Sequence, residues 1–413
     1  MQTIQKEGLH KPIFSWCPDI DEKTTEQMIR MASLPFAVHA ALMPDAHFGQ
    51  NMPIGGVLAC EGVVLPDAVG SDAGCGMCAV QTSLKVDDFS MDSRWRYLDG
   101  IEKRIPVGFT HNDSAKVRLL RDTIGDKFQF DAAKSGIEKA SFHPVEKVED
   151  AYFEQIGTLG GGNHMAELDV DADGNVWILV HSGSRNIGTK LNDRFNGLAM
   201  ELNRKFYSGV PEDICFLPTN TQEGSSYLRW MNFALMFAFR NRQLIVNEMQ
   251  EAFGAEFPNV RFEKPINIHH NYAVMEKHFG KDLWVHRKGA TLADKDTIGI
   301  IPGSMGTASY IVKGLGNPRS LNSCSHGAGR KFGRVDFNKT HNTVEALAAI
   351  DKAMEGIVYR KFKKEVNRKR KETGNIDVAE CPFAYKDIDE VIKNEADLVE
   401  PVVRMTPIVV MKG

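Results

Sequence analysis

Val176–Val180 (VWILV) is a short apolar run of the buried-strand type, and it stops at His181-Ser-Gly-Ser-Arg185, a polar loop with a glycine at its centre. The same change recurs at Ile54–Val64 (IGGVLACEGVV), which reads as two short strands paired about a Glu-Gly turn and feeding the polar loop that opens at Pro66. Strands that end in such loops set polar side chains free of the ladder, so these junctions are where a site is expected. Helical signals surround them. Asp19–Ala32 opens on acidic residues, spaces Ile20, Met28, Ile29 and Met31 as a helix would, and is stopped by Pro35. Tyr227–Phe253 is the longest helical candidate, its apolar face formed by Leu228, Met231, Ala234, Leu235, Phe237, Ala238 and Ile245. Several β-like runs lie between Ile266 and Val312, Val344–Lys371 reads as helix again, and Pro401–Met411 reads as a closing strand with Lys412 penultimate.

No repeat, low-complexity tract or Pro/Ser-rich linker interrupts the chain, which favours one domain over residues 1–413. The expected class is α+β: a single large compact domain of mixed, mainly antiparallel sheets with flanking helices. A net charge of -4 gives no bulk attraction to nucleic acid, so an RNA partner would need a local basic surface. Arg360–Lys371 (RKFKKEVNRKRK), with eight basic residues and one acid, is either a solvated helix face or an RNA-backbone contact. Seven scattered cysteines, without framework spacing, suggest a reducing compartment and a cytoplasmic location. No basic-then-apolar leader and no run of about 18 apolar residues occurs, so neither export nor membrane insertion is expected.

Asp72-Ala-Gly-Cys75-Gly-Met-Cys78 is the densest ligand candidate, a carboxylate and a thiol three residues apart among glycines that let the backbone fold around an ion. Cys75 and Cys78 also admit two other readings. Half a zinc site would need a second CxxC, which the chain lacks, and a redox pair would need a βαβ setting that this loop only partly resembles. His164, His181 and His270 sit in Gly- or Asn-rich turns. Singly, each is more often structural than a ligand. Together with Asp72 and Cys75 they are enough for two divalent ions sharing a ligand, a dinuclear clamp suited to phosphoryl transfer in a central cleft. Mixed N, O and S donors favour manganese, zinc or cobalt over magnesium.

Neither GxxxxGK[ST] nor GxGxxG is present, so nucleotide binding would fall to Gly157–His164, Pro302–Gly306 and Ser323–Gly329, loops whose amides can approach phosphate oxygens. His326 lies between Ser325 and Gly327 with little steric cover. It is either a structural histidine or a nucleophile towards phosphorus.

The segments MPDAHFGQ (43–50), VGSDAGCGM (69–77), GTLGGGNH (157–164), VHSGSRNIG (180–188), HHNY (269–272), IPGSMG (301–306), SCSHGAGR (323–330), AYKDID (384–389) and the terminal VMKG resemble, in order, the RtcB family of RNA-splicing ligases. The resemblance implies GTP and two manganese ions as cofactors, with zinc or cobalt as possible occupants. It implies RNA substrates with 3′-phosphate or 2′,3′-cyclic phosphate and 5′-hydroxyl ends. His326 would be the nucleophile that carries GMP; Asp72, Cys75, His164, His181 and His270 would hold metal, with Cys75 bridging. Asn163, His164, Met165, Ala166, Glu167, His270, Asn271, Pro302, Gly303, Ser304, Met305, Ser309, His326, Gly327, Ala328, Gly329, Tyr385 and Lys412 would form the guanylate pocket. Asp45 is suited to orient or deprotonate the attacking 5′-hydroxyl, and Arg185 to pair with an RNA phosphate. The chain departs from the family pattern at Gln50-Asn51, Gly162 and Asn186, as a divergent paralogue would. A metal-dependent phosphodiesterase without ligation, and a non-catalytic RNA-binding metalloprotein, are the rival expectations.

Overall fold

Two sheets meet at one residue, His270. The larger, eight-stranded sheet runs in the order Ile266–His269, Gly76–Lys85, Asn175–Ser182, Met165–Asp171, Val399–Lys412, Ser309–Gly314, Ile298–Ile301, with Val358–Tyr359 added alongside Val399–Lys412. All its pairings are antiparallel except that added strand. The smaller sheet runs Gln2–Ile4, Ile13–Ser15, Ala37–His47, Ile54–Cys60, Lys281–Lys288, Asn271–His278, with one parallel pairing, Ile13–Ser15 against Ala37–His47. Ile266–His269 edges the first sheet and Asn271–His278 edges the second, so His270 stands at the seam. The computed structural model describes the chain except residues 7, 8, 10, 141, 142, 212, 342 and 364–375. Its class is the expected one, a mixed α+β domain with mainly antiparallel sheets and flanking helices.

The closing strand is longer than expected and lies inside the large sheet, between Met165–Asp171 and Ser309–Gly314. Val409 and Val410 are fully buried there. Its prolines, 401 and 407, cannot donate to a ladder, and the register shifts beside both of them. The long helix spans Gln222–Glu251 and starts at Thr221, whose hydroxyl caps Gly224. Its buried stripe packs against the sheet and includes, among the apolar residues, the polar pair Asn241 and Arg242. The first helix, Glu22–Ala32, is capped by Asp21, whose carboxylate accepts from the Thr24 amide at 2.9 Å. No helix among the described residues is long and apolar enough to cross a membrane.

Two expectations need correction. Ile54–Cys60 and Val63–Val64 do not pair with each other. The former lies between Ala37–His47 and Lys281–Lys288, and the latter pairs with Leu217–Pro218, because distant strands of matching apolar pattern outcompete the local turn. The helix read over Val344–Lys371 ends at Ala353: Gly356 adopts a left-handed φ of 85°, and Val358–Tyr359 then joins the large sheet. Most of the basic run lies outside the described residues. Arg360, at its start, forms ion pairs with Asp99 and Glu102.

Candidate metal centre and nucleotide site

Asp72 and Cys75 occupy the turn entering Gly76–Lys85, which is tied across the seam: the Gly74 amide donates to Asn271 O (2.7 Å) and the His270 amide to Cys75 O (2.8 Å). His164 precedes the strand Met165–Asp171, and His181 ends the strand Asn175–Ser182. All five expected ligands therefore converge. Asp72 Oδ2 lies 3.1 Å from His164 Nε2, which lies 3.4 Å from Cys75 Sγ. That sulfur is 3.3 Å from His181 Nε2, itself 3.3 Å from His270 Nε2. Cys75, His164 and His181 alone bring three ligand atoms within 4.8 Å of one another. Gly183 permits this closeness, since a Cβ there would sit 2.1 Å from Asp72 Oδ1.

These contacts have too few protons for the acceptors they bring together. Leu159 O lies 2.9 Å from His164 Nδ1, so that nitrogen carries the ring proton and Nε2 turns a lone pair towards Asp72 and Cys75. Burial, and the neighbouring imidazoles, push His181 and His270 well below the ordinary histidine range, keeping both neutral. His270 Nδ1 is buried without a partner among the described residues. Burial and the Asp72 charge raise the Cys75 thiol, and Asp72 Oδ1 accepts from the Ser184 amide at 2.9 Å. Lone pairs of borderline and hard donors facing one another in a buried cluster fit divalent cations. Cys78 does not join: it faces the opposite side of its strand and packs with Val180, Ile178 and Ile245.

His326 closes the line. Its ring centroid is 4.8 Å from that of His270, and its Nδ1 lies 2.6 Å from Asp45 Oδ2, which also accepts the His326 amide at 3.1 Å. Asp45 is fully buried and its Oδ1 has no partner among the described residues. The preceding amide, Ser325, donates to buried Glu395 at 2.8 Å, so two carboxylates from separate elements clamp the loop.

A second cluster adjoins. Lys412 pairs in register with Met165, placing its Nζ 3.4 Å from Asn163 O and 3.3 Å from Glu380 Oε2. The same Glu380 oxygen accepts from the Tyr385 hydroxyl at 2.6 Å, and Oε1 accepts from Arg334 Nε at 2.8 Å and Arg330 Nη1 at 3.4 Å. Arg330 also lies over the Tyr385 ring, 5.0 Å from its centroid. Burial would raise the Glu380 carboxyl, but Lys412, Arg334 and Arg330 together hold it down to about 2. Ala166 and Glu167 are buried in the strand beside Met411 and Val410. Pro302, Gly303, Ser304, Met305 and Ser309 form a turn in which Gly303 donates to Ser309 Oγ and Ser304 to Thr307 Oγ1. Gly327 abuts Pro302, joining that turn to Ala328 and Gly329 of the His326 loop, and Asn271 bonds both Asp72 O and the Gly289 amide. Arg185 donates to Gly108 O and Thr158 Oγ1 and lies against Gly160, at the Asp72–His164 end.

Sequence reasoning missed Glu380, Glu395, Asn241 and Arg242. Arg242, fully buried, donates to Gly74 O and Ser182 O (2.9 Å each) and to Asn267 Oδ1 (2.8 Å), binding both ligand loops to the long helix. The available signal was two adjacent polar residues inside an apolar helical stripe. Glu380 and Glu395 carry no local signal.

Buried N, O and S donors running up to a carboxylate-held imidazole form a cluster with the composition and spacing to hold a metal ion. A model of the tRNA-splicing ligase RtcB family matches residues 27–413, and the chain belongs to that family. It is 33% identical over 419 residues to the RNA-splicing ligase RtcB of Escherichia coli (strain K12), covering 97% of each chain. It is 31% identical over 457 residues to the tRNA-splicing ligase RtcB of Thermococcus kodakarensis, covering 95% of this chain and 91% of the relative.

Proposed function

We propose that this chain is a GTP- and Mn2+-dependent RNA ligase of the cytoplasm, joining RNA 3′-phosphate or 2′,3′-cyclic phosphate ends to 5′-hydroxyl ends in RNA repair or tRNA splicing. The observation that carries the reading is the short contact from Asp45 Oδ2 to His326 Nδ1. It places the ring proton on Nδ1 and leaves Nε2 with a free lone pair, the state a nucleophile needs. Asp72, Cys75, His164, His181 and His270 would hold two ions, with Cys75 between them. Bound there, they would supply the positive charge that phosphoryl transfer needs on its attacking, leaving and non-bridging oxygens.

His326 Nε2 attacks the α-phosphorus of GTP, forming the N–P bond as pyrophosphate leaves. An RNA 3′-phosphate oxygen then attacks that phosphorus, forming RNA 3′-pp-guanosine and restoring His326. The 5′-hydroxyl attacks the 3′-phosphorus, closing the phosphodiester and releasing GMP. A cyclic phosphate end first takes up water, breaking its P–O2′ bond. Asp45, whose Oδ1 has no partner among the described residues, is the carboxylate that would orient the 5′-hydroxyl. Lys412 and Tyr385, held by Glu380, flank the nucleotide together with the turns at Asn163–Glu167 and Pro302–Ser309.

Incubation with Mn2+ and α-labelled GTP tests this. Acid-labile, alkali-stable label is expected on the wild type and none on His326→Ala. Absence of label with any divalent metal, while cyclic phosphate ends are still opened, would favour a hydrolase instead.

A further inference from the structure

Phe109 is 91% exposed. A lone exposed apolar side chain is ordinary, but the backbone that carries this one is not loose. The Gly108 amide donates to Gly160 O at 2.7 Å, and Leu159 donates to Pro106 O at 2.9 Å. Gly108 O accepts from Arg185 Nη2 at 2.7 Å. Beyond the ring, the Asn112 amide donates to Glu154 O at 2.8 Å, and its side chain donates to Phe153 O and Ile156 O. The segment is thus fixed on both sides of a ring that it presents to water.

The anchor point lies beside the metal ligands. Gly160 packs so closely that a Cβ there would lie 2.1 Å from Arg185 Nη1 and 2.6 Å from His164 Nδ1. Arg185 holds a left-handed φ of 57°, an unusual conformation for a side chain of its size. Across the same glycine loop, Arg334 Nη2 would lie 3.2 Å from a Cβ on Gly162, and the Arg334 side chain is 44% exposed. Two guanidiniums therefore adjoin the glycine loop that leads into His164, and an exposed aromatic side chain follows the backbone residue tied to that loop, in a chain whose net charge of -4 offers nucleic acid no general attraction. Unpaired RNA is recognised by such combinations, with bases stacked on rings and phosphates met by arginine.

We propose that Phe109 is a stacking platform for an unpaired base next to the RNA end being joined. The inference rests on the ligase reading and adds to it how the RNA end is gripped. Stacking needs only the flat face of a base, so the grip is tolerant of sequence, and Phe109 acts on RNA without touching GTP.

The test uses the full chain and a short RNA 3′-phosphate whose last nucleotide carries a fluorescent adenine analogue. Phe109→Ala should weaken RNA binding and raise the RNA KM by about 5- to 150-fold, with guanylation of His326 by GTP alone unchanged. Phe109→Trp should restore binding and quench the analogue. Removing the terminal base should cost the wild type the same factor and cost Phe109→Ala nothing further. The proposal is overturned by unchanged RNA affinity in Phe109→Ala, by losses that add, or by slowed guanylation, which would mark a structural role for the loop. It is overturned too by concentration-dependent dimerisation of the wild type that Phe109→Ala abolishes. If the wild type fails to guanylate, the ligase reading falls, while the fluorescence titration still decides whether Phe109 binds RNA.

Discussion

The line from Asp72 to His326 and the cluster around Glu380 are both buried and polar, and Lys412 and Asn163 join them, yet they are assembled on opposite principles. Around Glu380 every acceptor faces a donor: one carboxylate receives a lysine, a tyrosine and two arginines. Along the line, a carboxylate faces an imidazole lone pair, a thiol faces two ring nitrogens, and two ring nitrogens face each other. A buried network that satisfies itself specifies position. One that leaves lone pairs converging needs a cation to complete it. The contrast separates groups that shape the site from groups that do its chemistry, and it is open to test from both sides.

Breaking the line should be the more damaging. His326→Ala removes the nucleophile, and ligation should fall at least about 10³-fold, with no labelled protein from α-labelled GTP. Residual label would mean that another group carries the guanylate. Cys75→Ala should empty the cluster of metal after dialysis, as read by elemental analysis, whereas Cys78→Ala, on the far face of the strand, should retain most of it. Equal losses would show that the assignment of ligands by strand face is wrong. Asp45→Asn keeps the shape but frees His326 Nδ1 to change tautomer, so guanylation should slow by about 10²–10⁴-fold. A wild-type rate would remove Asp45 from the mechanism.

Much of the line was legible in the sequence because its members sit where apolar runs give way to glycine, as at Val180-His181 and Gly162-Asn163-His164. Those positions are fixed locally. Of the Glu380 cluster, Tyr385 and Lys412 were expected only through the family resemblance, and Glu380, Arg330 and Arg334 were not, since the members come from residues 330–334, 380–385 and 412 and only the sheet that threads Val399–Lys412 through its interior brings them together. Strand pairing failed for the same reason at Ile54–Val64, where the Lys281–Lys288 partners lie 224 (Trp284↔Cys60) to 232 (Lys288↔Gly56) residues away. Arg242 showed in the sequence only as a polar break beside Asn241 in its helix's apolar stripe, which does not reveal that this turn supplies donors to two loops. The overlong helix at Val344 shows the converse. Helical composition persisted beyond Ala353, but a single glycine and a short strand segment won locally.

Breaking the Glu380 cluster should cost less and act elsewhere. Glu380→Gln keeps the volume but removes the charge that lets Lys412 lie buried and that orients the Tyr385 hydroxyl. The loss of charged hydrogen bonds at those two groups should raise the GTP KM about tenfold, leaving kcat for ligation less affected. A selective fall in kcat would place Glu380 in the chemistry instead. The pH dependence follows from sign. The folded carboxyl titrates at about 2, below its value of about 4.3 in an unfolded chain. Its contribution to stability is therefore complete above the unfolded value and is lost as pH falls through that value towards 2. Urea midpoints of the wild type should fall between pH 5 and pH 2.5, and Glu380→Gln should show a shallower fall over the same interval from a lower starting point. Parallel slopes would mean that the cluster does not hold its charge in the way the Lys412, Arg330 and Arg334 contacts require.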